Sequence, residues 1–186
     1  MLEVMLGAAL HDRGLDARVR SAGIWEAGHP ASDHSVKEAA ARGLDLATHR
    51  SQVIDVAMVE RADLVLALAR RHVVEVGGLV PGAFGRTFTL KEIVRRGHEV
   101  GPRRAGEPLA DWLAEIGRDR VAASYLRADP ADDVEDPIGG SRAKYARTAV
   151  ELESLAAELA DLLQPPPPVS VAADADSVLD PVPDRP

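Results

Sequence analysis

Asp63-Leu64-Val65-Leu66-Ala67-Leu68 places five apolar residues in a row behind an acidic one. An amphipathic helix would break such a run with polar residues, and a half-exposed strand would alternate. An unbroken aliphatic run of this length reads as a parallel strand covered on both faces. Parallel strands are joined by crossovers, usually helical, so helices are expected on either side. Downstream, Arg70 to Leu79 reads as a helix that runs into a Gly/Pro turn. Upstream, Ile54 to Arg61 reads as a shorter one.

Further out the alternation continues. Arg86 to Thr89 reads as a second strand, followed by a helix over Leu90 to Arg96. Ala17 to Ser21 reads as a third, broken by Ala22-Gly23. A loop with Trp25, Gly28 and Pro30 leads to a helix from Ser32 to Arg42, which Gly43 stops. Met1 to Arg13 carries a helical stripe of Leu2, Met5, Leu6, Ala9 and Leu10. This helix has no N-cap, and the α-amino group lies at the positive end of the helix dipole. It reads either as a frayed terminal helix or as an element whose true start lies upstream of Met1. Gly97 to Glu107 reads as a polar loop, Pro108 to Arg120 as a helix with proline in its first position, and Ser141 to Leu163 as a long helix. Residues 1–163 are therefore expected to form one α/β domain, a three-layer sandwich with a small parallel sheet. Residues 164–186, rich in Pro and Asp, form a tail that cannot bury enough apolar surface to order itself. Three strands are one fewer than such a sandwich usually has.

Composition narrows the function. The net charge of −8 argues against general affinity for nucleic acid or anionic membrane. No apolar run approaches the roughly 18 residues that span a bilayer, and no signal pattern opens the chain, so a cytoplasmic location is expected. The cysteine count is 0, which removes disulfides, thiolate zinc sites and any cysteine nucleophile within these residues. Glu26, His29, Asp33 and His34 cluster in sequence, but the histidines lack the spacing of one helical face. Solvated loop residues fit them better than a metal site, and no metal or organic cofactor is expected. His49 and His72 stand alone at element ends. Arg70-Arg71-His72 reads as the solvated first turn of a helix, with anion binding as the alternative.

Asp136 stands apart. Asp133-Val134-Glu135-Asp136-Pro137-Ile138-Gly139-Gly140 sets a carboxylate before a proline and two glycines. Pro137 biases Asp136 to extended backbone angles, and the glycines permit a tight turn. Such a segment can present a general acid at a pocket rim, though a structural turn is the reading these residues alone favour.

Taken in order, these pieces resemble the low molecular weight protein-tyrosine phosphatases, whose fold is shared with bacterial arsenate reductases. Ser21-Ala22-Gly23 with Trp25 and Gly28 is similar to the family's strand end and pocket-wall loop. Gly43-Leu44-Asp45 with His49-Arg50-Ser51, Ala62-Asp63-Leu64-Val65-Leu66 and Arg86-Thr87-Phe88-Thr89-Leu90 match its later segments. Asp136-Pro137 falls where the family has its acid loop. The likeness runs from Met1 to about Leu163, with an insertion near residues 97–130 expected to shape the pocket entrance.

The resemblance implies hydrolysis of phosphotyrosine-type monoesters, in a phosphorylated protein or a small molecule, through a phosphocysteine. It implies Asp136 as general acid and base, and Trp25 and Ile138 as substrate-binding residues. The phosphotyrosine protein phosphatase I-like fold would lack its first strand and its Cys-x-x-x-x-x-Arg phosphate loop, which the family places just before the first helix. Ile138 replaces the family's frequent aromatic residue, and Gln52 and Leu68 also depart from its pattern. Two expectations follow: a phosphatase whose chain start lies upstream and which is inactive as written, or a non-catalytic member that binds a protein or phosphorylated partner. A different hydrolase pairing Asp136 with a histidine is the remaining alternative.

Overall fold

The computed structural model describes residues 1–127 and 129–164, so the tail expected from residue 165 onward lies outside the described residues. In chain order the elements are α1 (Leu2–Asp12), α2 (Asp33–Ala40), α3 (Val56–Arg61), β1 (Val65–Ala67), α4 (Arg70–Leu79) and a 3-10 helix (Pro81–Arg86). Then come β2 (Thr87–Thr89), α5 (Leu90–Val100), α6 (Leu109–Ile116), a second 3-10 helix (Ala122–Leu126) and α7 (Arg142–Leu163).

The aliphatic run at Leu64–Leu68 contains β1, with Ala67 buried and its neighbours half-buried. β1 pairs in parallel with β2, Val65 opposite Thr87, Leu66 opposite Phe88 and Ala67 opposite Thr89. Side chains alternate between the faces of a strand. Leu64, Leu66, Leu68 and Phe88 meet the apolar faces of α1, α5 and α7. Val65 and Ala67 point the other way, toward Val59, Val73, Val76, Ala83 and Tyr125. Helices on both faces give three layers.

Local chemistry sets where helices begin. Ser32, Asp55 and Ser141 accept N–H groups of the first turn of α2, α3 and α7. Thr89 and Glu92 form a capping box that starts α5 directly from β2. α7 is the spine of its layer, with Tyr145, Ala149, Leu152, Ala156 and Leu159 buried along the face that receives α1 and α5. A fully buried leucine there contributes about 1.5–3 kcal/mol.

Three readings need correction. Ala17 to Ser21 is not a strand. A strand requires a ladder, and the segment is tied only at its end, by a parallel bridge of Gly23 to Val53 and by Gln52 Nε2 donating to the Ser21 carbonyl at 2.9 Å. β1 shows the same deficit, for it has a strand neighbour on one side only among the described residues. Its Val65 and Leu66 are half-buried, whereas all three residues of β2 are buried.

The loop expected from Gly97 begins later. α5 runs to Val100 because Gly97 is a packing position: a Cβ there would stand 2.7 Å from Leu162 Cδ1 and 3.3 Å from Trp112 Cζ2. Gly101, at φ +102°, ends the helix. Finally, Pro108 is the N-cap of α6, one position outside the expected place, and the helix stops at Ile116.

Candidate active site

The segment carrying Asp136 is fastened at both ends. The Val134 N–H donates to the carbonyl of Leu68 at 2.8 Å, so the loop is tethered just past the C-terminal end of β1. On the far side Lys144 of α7 pairs with Glu135 at 3.2 Å, and Thr148 Oγ1 donates to the Glu135 carbonyl at 3.4 Å. Between these anchors Asp136 makes its own turn, Oδ1 accepting the Ile138 N–H at 3.0 Å. Gly139 has φ +71°, and the Gly140 N–H closes on the Pro137 carbonyl at 2.8 Å. The proline and the glycines thus act as the sequence suggested, holding one carboxylate on a fixed turn.

Arg70 organises the approach to this turn. Its Nε and Nη2 donate to Asp132 Oδ2 at 2.9 and 2.6 Å, and its Nη1 donates to the Ser124 carbonyl at 3.2 Å. Arg95 of α5 donates to the other oxygen, Oδ1, at 2.9 Å. Asp133 completes the lock by accepting the Arg70 backbone N–H at 2.7 Å. That N–H belongs to the first turn of α4, whose N-cap residue, Ala69, has no side chain to offer. Asp132 is 2% exposed. Burial acts to raise its carboxyl, and hydrogen bonds from Arg95 and Arg70 outweigh that and hold it below the usual carboxylate range. Arg70 is therefore a structural clamp rather than a solvated first-turn residue, which the sequence could not show because its partner is 62 positions away.

A second buried cation fixes the segment that leads from α6 to the second 3-10 helix. Arg120 donates to Glu92 and Tyr125 at 2.9 Å each, to the Phe84 carbonyl at 2.9 Å and to the Thr87 carbonyl. Its guanidinium lies 3.8 Å from the ring centroid of Phe88 and 4.4 Å from that of Phe84. This closes the outer edge of β2 and seats the second 3-10 helix against α4. Burial and a hydrogen bond to Glu92 push the Tyr125 hydroxyl up to about 12. The result brings Tyr125 and Leu126 of that segment to one cavity with Asp136. That cavity, about 470 Å³, is lined also by Ala69, Arg71, Val74, Glu75, Asp133 and Val134.

The other candidates stand elsewhere. Ile138 joins Asp136 through its backbone but projects outward, 75% exposed. Trp25 is 81% exposed on a loop braced by Ser51, which accepts the His29 N–H and donates to the Glu26 carbonyl. Neither lines the cavity. His29 meets Glu26 at 3.1 Å on the surface, and His49 lies 3.4 Å from Glu3. No group of three or more metal-ligating side chains forms among the described residues. His72 is held below its usual range by burial and by Arg71, while Asp133 and Asp136 work in the opposite direction.

Residues 1–100, more than half of the chain, match the model of the low molecular weight phosphotyrosine protein phosphatase family. The chain belongs to this family. It is 29% identical over 169 residues to the protein-arginine-phosphatase of Bacillus subtilis, covering 88% of this chain and 87% of that one. To the probable low molecular weight protein-tyrosine-phosphatase EpsP of Ralstonia solanacearum it is 33% identical, over 54% of this chain and 70% of that one. Among solved structures, a YwlE mutant from B. subtilis superposes with a TM-score of 0.63 at 27% identity, covering 86% and 85% of the two chains. A low molecular weight protein tyrosine phosphatase from T. tengcongensis gives 0.62 at 28%, covering 85% and 86%. The family's three-layer α/β fold is thereby established for this sequence, and the relatives it matches are named as phosphatases. With a cysteine count of 0, the 186 residues as written cannot form a phosphocysteine. No described helix is long and apolar enough to cross a membrane.

Proposed function

We propose that this chain carries the general-acid half of a cytoplasmic phosphomonoesterase site, and that the phosphate cradle and thiolate are supplied by residues outside the 186. The observation that carries this is the tether of the Asp136 loop to the end of β1 through Val134 and Leu68. It sets a carboxylate at the C-terminal edge of a parallel sheet, where open α/β folds bind ligands. Among the described residues β1 pairs on one side only and segment 17–21 has no ladder, which supports a further strand in the complete sheet.

In the complete site a sulfur–phosphorus bond forms as the bond to the leaving oxygen breaks, and the Asp136 carboxyl gives that oxygen its proton. Water then attacks phosphorus and yields its proton to the Asp136 carboxylate as the thiolate departs. Trp25 and Ile138 are the exposed apolar walls offered to the substrate, a phosphotyrosine-type side chain of a protein or a small phosphomonoester. A second reading, phosphoarginine, is favoured by the relative named a protein-arginine-phosphatase and by the aliphatic Ile138 where a ring would stack on a phenol. The non-catalytic reading keeps the same scaffold as a binder of phosphorylated partners.

Reading the DNA upstream of Met1 in frame tests the proposal. A Cys-x-x-x-x-x-Arg stretch that runs through to Met1 supports it. An interrupted frame without that stretch removes the catalytic reading and leaves the binding one.

A further inference from the structure

The cavity bordered by Asp136 has a character that proton transfer to a leaving group does not require. Val74 and Leu126 are large apolar side chains left exposed, Leu126 by 73%, and both line it. The charged lining consists of Glu75, Asp133, Asp136 and Arg71, three carboxylates against one guanidinium. Arg71 spends its Nε on His72 Nε2 at 3.2 Å. Asp133 and Asp136 each use Oδ1 on a backbone N–H, of Arg70 and Ile138 respectively, which leaves Oδ2 for another donor. Glu75 stands out, because its Oε2 is shielded from solvent and has no hydrogen-bond partner among the described residues. An unpaired, desolvated carboxylate oxygen is costly, and a cation within reach of a side-chain rotation offsets that cost.

We propose that this cavity, between α4, the second 3-10 helix and the acid loop, is a subsite for an arginine or lysine side chain of a protein substrate, next to the phosphorylated residue. Such a side chain has an aliphatic stem and a cationic head. Val74 and Leu126 flank the stem, and Glu75 with Asp133 takes the head in charge-assisted hydrogen bonds. The volume of about 470 Å³ lies in the range of ligand pockets and accommodates one long side chain. The insertion is then a specificity element, since Leu126 reaches the cavity through the Arg70 and Arg120 clamps. The connection to hydrolysis rests on Asp136 being the acid, whereas occupancy of the cavity does not.

The test is a titration of the isotope-labelled 186-residue chain with acetyl-Ala-Arg-Ala-amide, followed by amide chemical shifts. Saturable shifts are expected at residues 71–75, 126 and 133–136. Glu75→Gln should weaken binding at least tenfold and Leu126→Ala several-fold, each with an unchanged spectrum away from the cavity. The norleucine peptide should bind at least tenfold more weakly, and argininamide more weakly than the peptide. Equal affinity of E75Q and the parent would overturn the proposal, as would equal affinity for norleucine. Argininamide binding as tightly as the peptide would make this a small-molecule site and overturn it too. If E75Q does not fold, the exposed L126A carries the same comparison, and unchanged affinity there counts against the subsite. No arm depends on hydrolysis, so failure of the phosphatase reading leaves the result interpretable.

Discussion

Arg70 and Asp132 are joined by two hydrogen bonds to one carboxylate oxygen, at 2.9 and 2.6 Å, four residues before Asp136. The pair links the start of α4 to the acid loop, and Arg95 adds α5 to the same carboxylate at 2.9 Å. The position of the candidate acid is thus set by a buried carboxylate that has no chemical role of its own.

Asp132→Asn keeps the shape but removes the charge that two arginines share. The expected cost is about 2–3 kcal/mol, below that of a fully enclosed pair because Arg95 is 49% exposed. Hydrogen exchange should quicken at residues 133–140 well before it does in α7. Uniform acceleration across the chain would show that Asp132 supports the whole fold instead of the loop.

Tyr125 predicts an alkaline limit. Its hydroxyl titrates near 10 when unfolded and at about 12 in the fold. Between those values the folded state holds a proton that the unfolded state has lost. Stability linked to Tyr125 is therefore full below pH 10 and falls as pH rises toward 12. Denaturant melts of the parent and Tyr125→Phe should converge over that window. Parallel curves would contradict the shift.

Gly140 has no room for a side chain. A Cβ would lie 2.8 Å from the Pro137 carbonyl oxygen and 2.6 Å from Lys144 Cδ. Lysine can swing away but the backbone oxygen cannot. Gly140→Ala should cost about 1–3 kcal/mol and displace the turn that holds Asp136, seen as amide shift changes confined to residues 135–144.

Much of this was legible in the sequence, and the limits have physical causes. The run at Leu64–Leu68 and the helix over Arg70–Leu79 are local patterns that a short stretch of sequence carries in full. The Asp136 turn was legible because proline and glycine state their backbone geometry directly. Ala17 to Ser21 misled because strand propensity is only half of a strand; the other half is a neighbour. Gly97 misled in the opposite direction, looking like a break while serving as the contact point of Leu162 and Trp112. The clamps of Arg70 on Asp132 and of Arg120 on Glu92 span tens of residues, and a single charge in sequence does not name its partner.

The most direct test of the account is leaving-group dependence of hydrolysis by this chain joined to its own in-frame upstream segment. The measurement compares kcat of parent and Asp136→Asn on phenyl phosphate and on an ester with a far more acidic leaving phenol. A general acid matters most where the leaving oxygen needs a proton, and its removal costs typically 10²–10⁴-fold. The account predicts a loss of that order on phenyl phosphate and a much smaller one on the activated ester. Equal losses on both substrates, or none on phenyl phosphate, would show that Asp136 is a structural turn residue and not the acid.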